Sequence, residues 1–327
     1  MKMGRIALHL QRFLLPWLIV LSLGAYVWPG VVPARIAADL DPFVASRPYL
    51  PVLIFATMFA IGSMLPREEV DQVLRRWPFV LAGSALQYTA MPFLAFGVGR
   101  IWQLEGDLLV GLMMVGCVPG AMASNVLTLH ARGNTSYSVS LTTVATLLSP
   151  LVVPLALRFT LVGADALSSQ ALWRASFLLL LTVVLPVTLG HLMIRVRPQL
   201  QATTRILGSI LANLVILWII AVVVGLNRER LAAIQFSLFS ALLVLNALGY
   251  LTGYWGGWSL KLREPMRRAL TLEVGMQNAG LGATLATQLF PDRDGTALAP
   301  ALYTFGCMLT GTLLAQWWSG RKPQSET

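Results

Sequence analysis

Ten long apolar segments restrict this chain to folds that a lipid bilayer can hold. A membrane-spanning helix needs about 20 mostly apolar residues. The segments of that length lie at approximately residues 13–32, 49–65, 77–99, 108–129, 135–157, 175–194, 206–226, 236–260, 269–290 and 296–319. Only 12% of the residues are charged, whereas a soluble domain has about 25%. We therefore predict an all-α membrane protein whose residues 1–327 form a single transmembrane unit.

The charges in the short links predict the orientation of the segments. The formal net charge is +10. Sixteen basic residues fall at the two chain ends and in the links on one side of the membrane, and eight fall on the other side. Because cytoplasmic loops collect Lys and Arg, we expect a multi-pass protein of a cell membrane, such as a bacterial inner membrane, with both termini in the cytoplasm. The basic residues are scattered between apolar segments, which argues against nucleic-acid binding.

The ten segments divide into two sets of five, a first repeat over about 13–157 and a second over about 172–319. With an odd number in each set, equivalent halves must cross the membrane in opposite directions, as in many secondary transporters. Segment 4 carries a Pro-Gly pair at 119–120, and segment 9 has its weak point between Gly275 and Gly282. We therefore expect a five-plus-five inverted repeat in which helices 4 and 9 are both broken.

One carboxylate lies well inside an apolar segment. Glu273 belongs to segment 9, in the stretch TLEVGMQNAGLGATLA, whereas the other thirteen acidic residues lie in links or near segment ends. An ionised carboxylate at the bilayer centre costs about 2.5 to 3.5 kcal/mol on insertion scales, and a bound cation would offset that cost. We interpret Glu273 as a cation ligand. The alternatives are a protonated Glu bonded to a neighbouring helix, or a carboxylate close enough to the interface to reach water.

Neutral oxygen donors flank the break in segment 4 and continue into segment 5. Ser124 and Asn125 follow the Pro-Gly pair directly, and Ser138 and Thr142 are four residues apart, which places them on one helical face. A broken helix frees backbone carbonyls that suit a cation and N–H groups that suit an anion. The alternative is a proline kink capped by Ser and Asn, with hydroxyls that only line helix contacts. Gln87, in the middle of segment 3, is equally suited to a ligand or to a bond between helices.

Two stretches together resemble the signature of the bile acid:sodium symporter family. The first is GCVPGAMASNVLTLHARGNTSYSVSLTTVATLLSPLVVPL, with ASN after a Pro-Gly pair, an ARGN link and a hydroxyl-rich fifth segment. The second is EVGMQNAGLGATLA, which is similar to the family's E-x-G-x-Q-N-x-x-L segment. The resemblance covers nearly the whole chain. It implies ten helices, with segments 1, 2, 6 and 7 in a panel domain, segments 3–5 and 8–10 in a core domain, and broken helices 4 and 9 crossing in the core.

The resemblance also implies two Na⁺ ions, each held by oxygen atoms. The ligands of the first ion would be Ser124, Asn125, Ser138, Thr142 and Glu273. The ligands of the second would be Gln87, Glu273, Gln277 and the backbone oxygens of Val274 and Met276. The expected substrate contacts are Asn278, Met122 and Ala123. Met122 stands where several relatives have a hydroxyl residue, and Gly306, Cys307 and Met308 replace a more polar stretch of some bile-acid-binding members.

These features predict a sodium-coupled symporter that carries an organic anion, either bile-acid-like or a small carboxylate, by alternating access. We expect a transporter that works as a monomer in the bilayer, and not an enzyme, since the sequence offers no nucleophile–base pair or metal cluster. Two alternatives stay open. A proton could replace Na⁺ at Glu273, which pH-dependent uptake without Na⁺ would reveal. A membrane sensor would bind the ligand without moving it, although the sequence offers no soluble signalling domain.

Overall fold

The structure is a computed structural model that describes residues 9–10, 13–32, 41–65, 77–161, 167–232 and 236–321. Within these ranges the regular secondary structure is helical, and no β-strand is present. Backbone polar groups in a bilayer core must be bonded inside the protein, and a helix achieves this within its own segment. The chain is therefore an all-α membrane protein, as its apolar segments predict.

Thirteen helices of eight or more residues make up the fold within the described ranges. They are α1 (Leu14–Val31), α2 (Leu50–Met64), α3 (Trp77–Ile101), α4 (Gly106–Cys117), α5 (Ala123–His130), α6 (Thr135–Thr160), α7 (Ser169–Leu179), α8 (Leu185–Val196), α9 (Gln201–Leu226), α10 (Phe236–Ser259), α11 (Glu264–Gly275), α12 (Ala279–Leu289) and α13 (Leu298–Ser319). A π-helical turn, Leu180–Val184, joins α7 to α8. Shorter helical turns are Pro42–Ala45, Arg47–Tyr49, Pro198–Leu200, Arg228–Ala232 and Asp294–Ala297.

Eight helical stretches in the described ranges are long and apolar enough to cross a membrane. They are Leu14–Val31, Pro42–Met64, Trp77–Ile101, Thr135–Thr160, Ser169–Val196, Pro198–Leu226, Phe236–Ser259 and Asp294–Ser319. Segments 4 and 9 differ because each is divided into two shorter helices, α4 with α5 and α11 with α12. Within the described ranges, eight of the apolar segments thus contain a helical stretch long enough to span a membrane, and segments 4 and 9 are interrupted.

Local sequence determines where the interrupted helices end and restart. Val118 precedes a proline and is extended, with φ −78° and ψ 159°, which ends α4 at Cys117. A residue before proline is driven out of the helical region by contact with the proline ring. At the other break, the Asn278 side chain accepts a hydrogen bond from Leu281 N–H at 3.1 Å and so begins α12. Asparagine is among the preferred residues at this helix position.

The helices pack in two groups. In the first group, α2 packs on both α8 and α9, and α9 packs on α1. In the second group, α3, α6, α10 and α13 pack around the interrupted helices α4, α5, α11 and α12. The groups meet where α12 contacts α2, α7 and α9, where α13 contacts α1 and α9, and where α6 contacts α7. Both interrupted segments therefore lie inside one group, and α12 also faces the other.

Glycine allows the close contact between α2 and α8. A β-carbon on Gly190 of α8 would overlap the Phe59 carbonyl oxygen and lie 2.7 Å from the Ser63 backbone nitrogen. A β-carbon on Gly62 of α2 would overlap the Val187 carbonyl oxygen in the same way. Membrane helices associate through small residues, because lipid tails remove the hydrophobic driving force that brings helices together in water. The two helices can touch only because these positions lack side chains.

We predict that Gly190→Ala lowers the stability of the protein, because its methyl group would meet backbone atoms that cannot move aside. The expected loss is about 1 to 3 kcal/mol, as for other overpacked sites. Gly24→Ala in α1 is the matched control, since a β-carbon there has no atom within 4 Å. The midpoint of thermal unfolding in detergent provides the comparison. Equal midpoints for the two variants would show that α2 and α8 do not need this contact.

Candidate functional site

The two interruptions lie against each other and exchange backbone hydrogen bonds. Ala121 N–H donates to the Met276 carbonyl at 2.7 Å, and Asn278 N–H donates to the Pro119 carbonyl at 2.8 Å. The residues between these pairs form an isolated antiparallel bridge. A helix end leaves backbone groups without partners inside the helix. Each break therefore supplies hydrogen bonds that the other break has lost.

The place where the two breaks meet is called the crossing below. Glu273 lies beside it, in the last turn of α11, and is fully buried. Ser124 of α5 donates a hydrogen bond from Oγ to Glu273 Oε2 at 2.6 Å. Thr142 of α6 places its Oγ1 2.8 Å from both carboxylate oxygens. Hydroxyl groups from two other helices therefore surround the carboxylate.

Further oxygen atoms lie immediately behind these hydroxyls. Ser138 Oγ donates to Asn125 Oδ1 at 2.7 Å, and Thr142 Oγ1 is 3.3 Å from the same Asn125 oxygen. Thr128 Oγ1 lies 3.2 Å from Ser138 Oγ. The structure thus brings together all five residues expected at the first ion. They come from α5, α6 and α11, and the oxygens of their side chains point to a common region.

The carboxylate of Glu273 has no positive partner among the residues that the structure describes. Arg267 and Arg268 are near in sequence, but both form ion pairs with Glu264, at 2.6 Å and 3.0 Å. The described residues also contain no group of three or more His, Cys, Asp and Glu side chains that could hold a metal ion. One carboxylate with several neutral oxygens suits a hard cation of low charge better than a transition metal.

A second set of side chains connects α3 to the end of α11. Gln87 Nε2 is 3.4 Å from Gln277 Oε1, and Gln277 Nε2 donates to the Val274 carbonyl at 2.7 Å. Gln87 is buried, and its Oε1 has no hydrogen-bond partner among the described residues. A buried acceptor without a partner costs about 1 to 3 kcal/mol. A cation bound to Gln87 Oε1 would remove that cost.

The three expected substrate contacts lie at the edges of the crossing. Met122 and Ala123 stand at the start of α5 and are partly exposed, as is Asn278 at the start of α12. Asn278 uses its side-chain oxygen to cap α12, and its amide nitrogen has no partner within the described ranges. The N-termini of two short helices thus meet at a partly open surface. Such helix ends favour negative charge.

Three polar residues that the sequence argument did not single out hold the break in segment 9. Asn246 of α10 and Tyr303 of α13 both donate to the Gly275 carbonyl at 2.7 Å. Thr310 donates to Asn246 Oδ1 at 2.6 Å, which fixes the orientation of the amide. Asn246 could have been noticed, because it is a lone amide in the middle of an apolar segment. Tyr303 and Thr310 gave no comparable signal, since both are common in membrane helices.

Comparisons with known proteins identify the family of this chain. A model of the "Sodium Bile acid symporter family" matches residues 51–234. A sodium-dependent transporter of Bacillus subtilis is 33% identical over 304 residues, which cover 93% of this chain and 89% of the relative. Both the matched family and this relative concern transport that depends on sodium.

Two further relatives come from eukaryotes. The "Probable sodium/metabolite cotransporter BASS1, chloroplastic" of Arabidopsis thaliana is 30% identical over 274 residues, covering 82% of this chain and 66% of the relative. The human hepatic sodium/bile acid cotransporter is 25% identical over 245 residues, covering 73% of this chain and 69% of the relative. These relatives differ in the substrates that their names give, and they share sodium.

We predict that Gly120→Ala damages the crossing, because its β-carbon would overlap Glu273 Oε1 and lie 2.6 Å from the carboxyl carbon. Overpacking of this kind costs about 1 to 3 kcal/mol. Gly282→Ala is the matched control, since the nearest atom to its β-carbon is Pro300 Cβ at 3.5 Å, an ordinary contact. Thermal unfolding of both variants in detergent tests the difference. If Gly120→Ala unfolds at the wild-type temperature, the carboxylate does not sit where the structure places it.

Proposed function

Because the chain belongs to the sodium bile acid symporter family, we propose that it moves an organic anion across a membrane together with Na⁺ by alternating access. The family and the named relatives are transporters, so the chain is a multi-pass membrane transporter and not an enzyme. The observation that carries the proposal is Glu273, a fully buried carboxylate among hydroxyl groups that lacks an ion-pair partner in the described ranges.

Two Na⁺ ions share Glu273 in this proposal. The first ion is bound by the side chains that meet at the carboxylate, namely Ser124, Asn125, Ser138, Thr142 and Glu273. The second is bound by Gln87, Gln277, Glu273 and the backbone oxygens of Val274 and Met276. The support for the first site is the continuous series of contacts, each 2.6 to 3.3 Å long, that links its side-chain oxygens. The support for the second is the unbonded Gln87 oxygen.

The architecture in this proposal has ten spans, counted as the eight continuous stretches and the two interrupted segments. They form a first repeat over about 13–157 and an inverted second repeat over about 172–319. The group with α1, α2, α7, α8 and α9 is the panel, and the group around the interrupted helices is the core. The packing of the helices into these two groups supports the division.

The anion binds at the break in this proposal, where it contacts Asn278, Met122 and Ala123. The free amide nitrogen of Asn278 and the helix N-termini supply hydrogen-bond donors for a carboxylate. Na⁺ and the anion are coupled because both require the crossing to be in one geometry, and such coupling is reciprocal. Two positive charges moving with one negative charge make transport electrogenic, so a membrane potential contributes about 2.3 kcal/mol per net charge per 100 mV. The substrate class is a bile-acid-like anion or a small carboxylate.

We place the protein in a cell membrane, such as a bacterial inner membrane, with both termini in the cytoplasm. The distribution of Lys and Arg among the links supports this orientation. A single chain contains both ion sites and the anion site, so the proposed working unit is a monomer.

We predict that Na⁺ stabilises the protein and K⁺ does not, and that Glu273→Gln abolishes the difference. A ligand that binds only the folded state at 100 times its Kd adds about 2.7 kcal/mol. The measurement is thermal unfolding in detergent while NaCl replaces KCl at constant ionic strength. Glu229→Gln is the control, because Glu229 is an exposed residue just after α9. A shift that responds to pH and ignores Na⁺ would favour proton coupling instead.

We also predict that Gln87→Leu removes one of the two ions and leaves the other. Leucine fills a similar volume but offers no oxygen, while the Ser124 and Thr142 contacts to Glu273 stay intact. The Na⁺ dependence of the unfolding temperature should then follow a single-site curve, with the Hill coefficient of Na⁺ binding falling to about one. A cooperative curve as steep as that of the wild type would contradict a sodium role for Gln87.

A further inference from the structure

Asn213 is a polar residue that the proposed sites leave unused. It lies at the middle of α9, which runs from Gln201 to Leu226. Its side chain is partly buried, and no hydrogen bond joins it to another described residue. A polar group at membrane depth faces the protein interior or a water-filled cavity, because lipid offers it no partner. The Asn213 amide therefore needs a hydrogen-bond partner other than the described residues.

Asn246, in the middle of α10, is an amide with a structural role and serves as a comparison for Asn213. Its amide nitrogen donates to the Gly275 carbonyl, and its oxygen accepts from Thr310. Asn213 has neither kind of bond within the described ranges. A contact between helices, which is the usual role of asparagine in membrane helices, therefore accounts for Asn246 and not for Asn213.

Helical spacing shows the direction in which Asn213 faces. Leu207, Leu211 and Leu214 form one row along α9, with exposed fractions of 45%, 40% and 48%. This row faces the lipid. Gly208 packs on a different side, where its β-carbon would lie 3.1 Å from the Met64 side chain of α2. At about 100° per residue, Asn213 points about 130° away from the centre of the lipid-facing row and so toward the protein.

Ile216 shows which part of the protein this side of α9 contacts. Its Cγ1 lies 3.3 Å from the position of a β-carbon on Gly280, in the first turn of α12. Asn278 Oδ1 lies 3.9 Å from the same position. Asn213 is three residues before Ile216, on the same side of the helix. It is therefore displaced by about 4.5 Å along α9 from the level at which α9 touches the break.

The same face of α9 continues toward the start of the helix. Arg205, Ser209 and Asn213 are spaced four residues apart, so they form one row. Arg205 is exposed and carries a positive charge. The row leads from this charge to the break, where α5 and α12 both begin. Positive charge at one end and helix N-termini at the other make this face attractive to an anion.

We propose that Asn213 is the contact on α9 for the transported anion and that its amide N–H donates to the carboxylate. This inference rests on the proposed function. The anion then lies between the break of the core and α9 of the panel. Arg205 draws it into that space, and Asn213 and Asn278 hold it from opposite sides.

The test needs no known substrate. Asn213→Cys is made in a chain with Cys117→Ala and Cys307→Ala, since both native cysteines are buried. The variant is reacted with the anionic sulfonatoethyl and the cationic trimethylammonioethyl methanethiosulfonate. Each rate is divided by the rate of that reagent with a free thiol in solution. The anionic reagent should be favoured by about 10-fold or more, as expected for a cleft with positive potential.

Leu214→Cys in the same background is the control, because Leu214 belongs to the lipid-facing row and detergent should shield it from both charged reagents. A rate for Asn213→Cys no higher than that of Leu214→Cys would overturn the proposal, and so would the absence of a preference for the anionic reagent. The Na⁺-specific thermal shift is measured on the same samples. Its absence in the wild type would count against the sodium mechanism, whereas the labelling rates report separately on the position of Asn213.

Discussion

The structure depends on one physical constraint, the burial of the Glu273 carboxylate where two interrupted helices cross. A charge at this depth costs about 2.5 to 3.5 kcal/mol on insertion scales. The Ser124 and Thr142 hydroxyls at 2.6 and 2.8 Å offset part of that cost, and a bound cation would offset more. The crossing itself makes room for the carboxylate, because the backbone passes it at Gly120 without a side chain. The break, the glycine and the acid are therefore parts of one arrangement.

The helix that carries Glu273 is fixed at both ends. At its start, Glu264 pairs with Arg267 and Arg268, and Arg268 also donates to the Ala131 carbonyl just after α5. At its end, the Gly275 carbonyl accepts hydrogen bonds from α10 and α13. Binding sites need such support, since small displacements of ligands weaken them. An ion that joins α5, α6 and α11 would therefore bind beside a helix whose two ends are held by other helices.

The sequence predicted those structural features whose cause lies in neighbouring residues of the chain. Apolar length predicted the helices, Pro119 predicted the break in segment 4, and the depth of Glu273 singled it out. It was less informative where the cause lies elsewhere in the chain. The break in segment 9 falls at Met276 to Asn278 because α10 and α13 bind the Gly275 carbonyl there. Asn213 was passed over because only the contact between Ile216 and α12 shows which side of α9 lies against the break. The proposed sodium ligands stay a prediction, supported by geometry and by family membership.

Equilibrium binding of radioactive sodium to the purified protein tests the central claim most directly, since it counts ions without requiring a substrate. The account predicts saturable binding of more than one ion per chain, displaced by unlabelled NaCl and not by KCl. It also predicts that Thr142→Val weakens this binding, because that variant removes a hydroxyl 2.8 Å from the Glu273 carboxylate. The absence of saturable binding, or binding that Thr142→Val leaves unchanged, would contradict the assignment of this crossing as the sodium site.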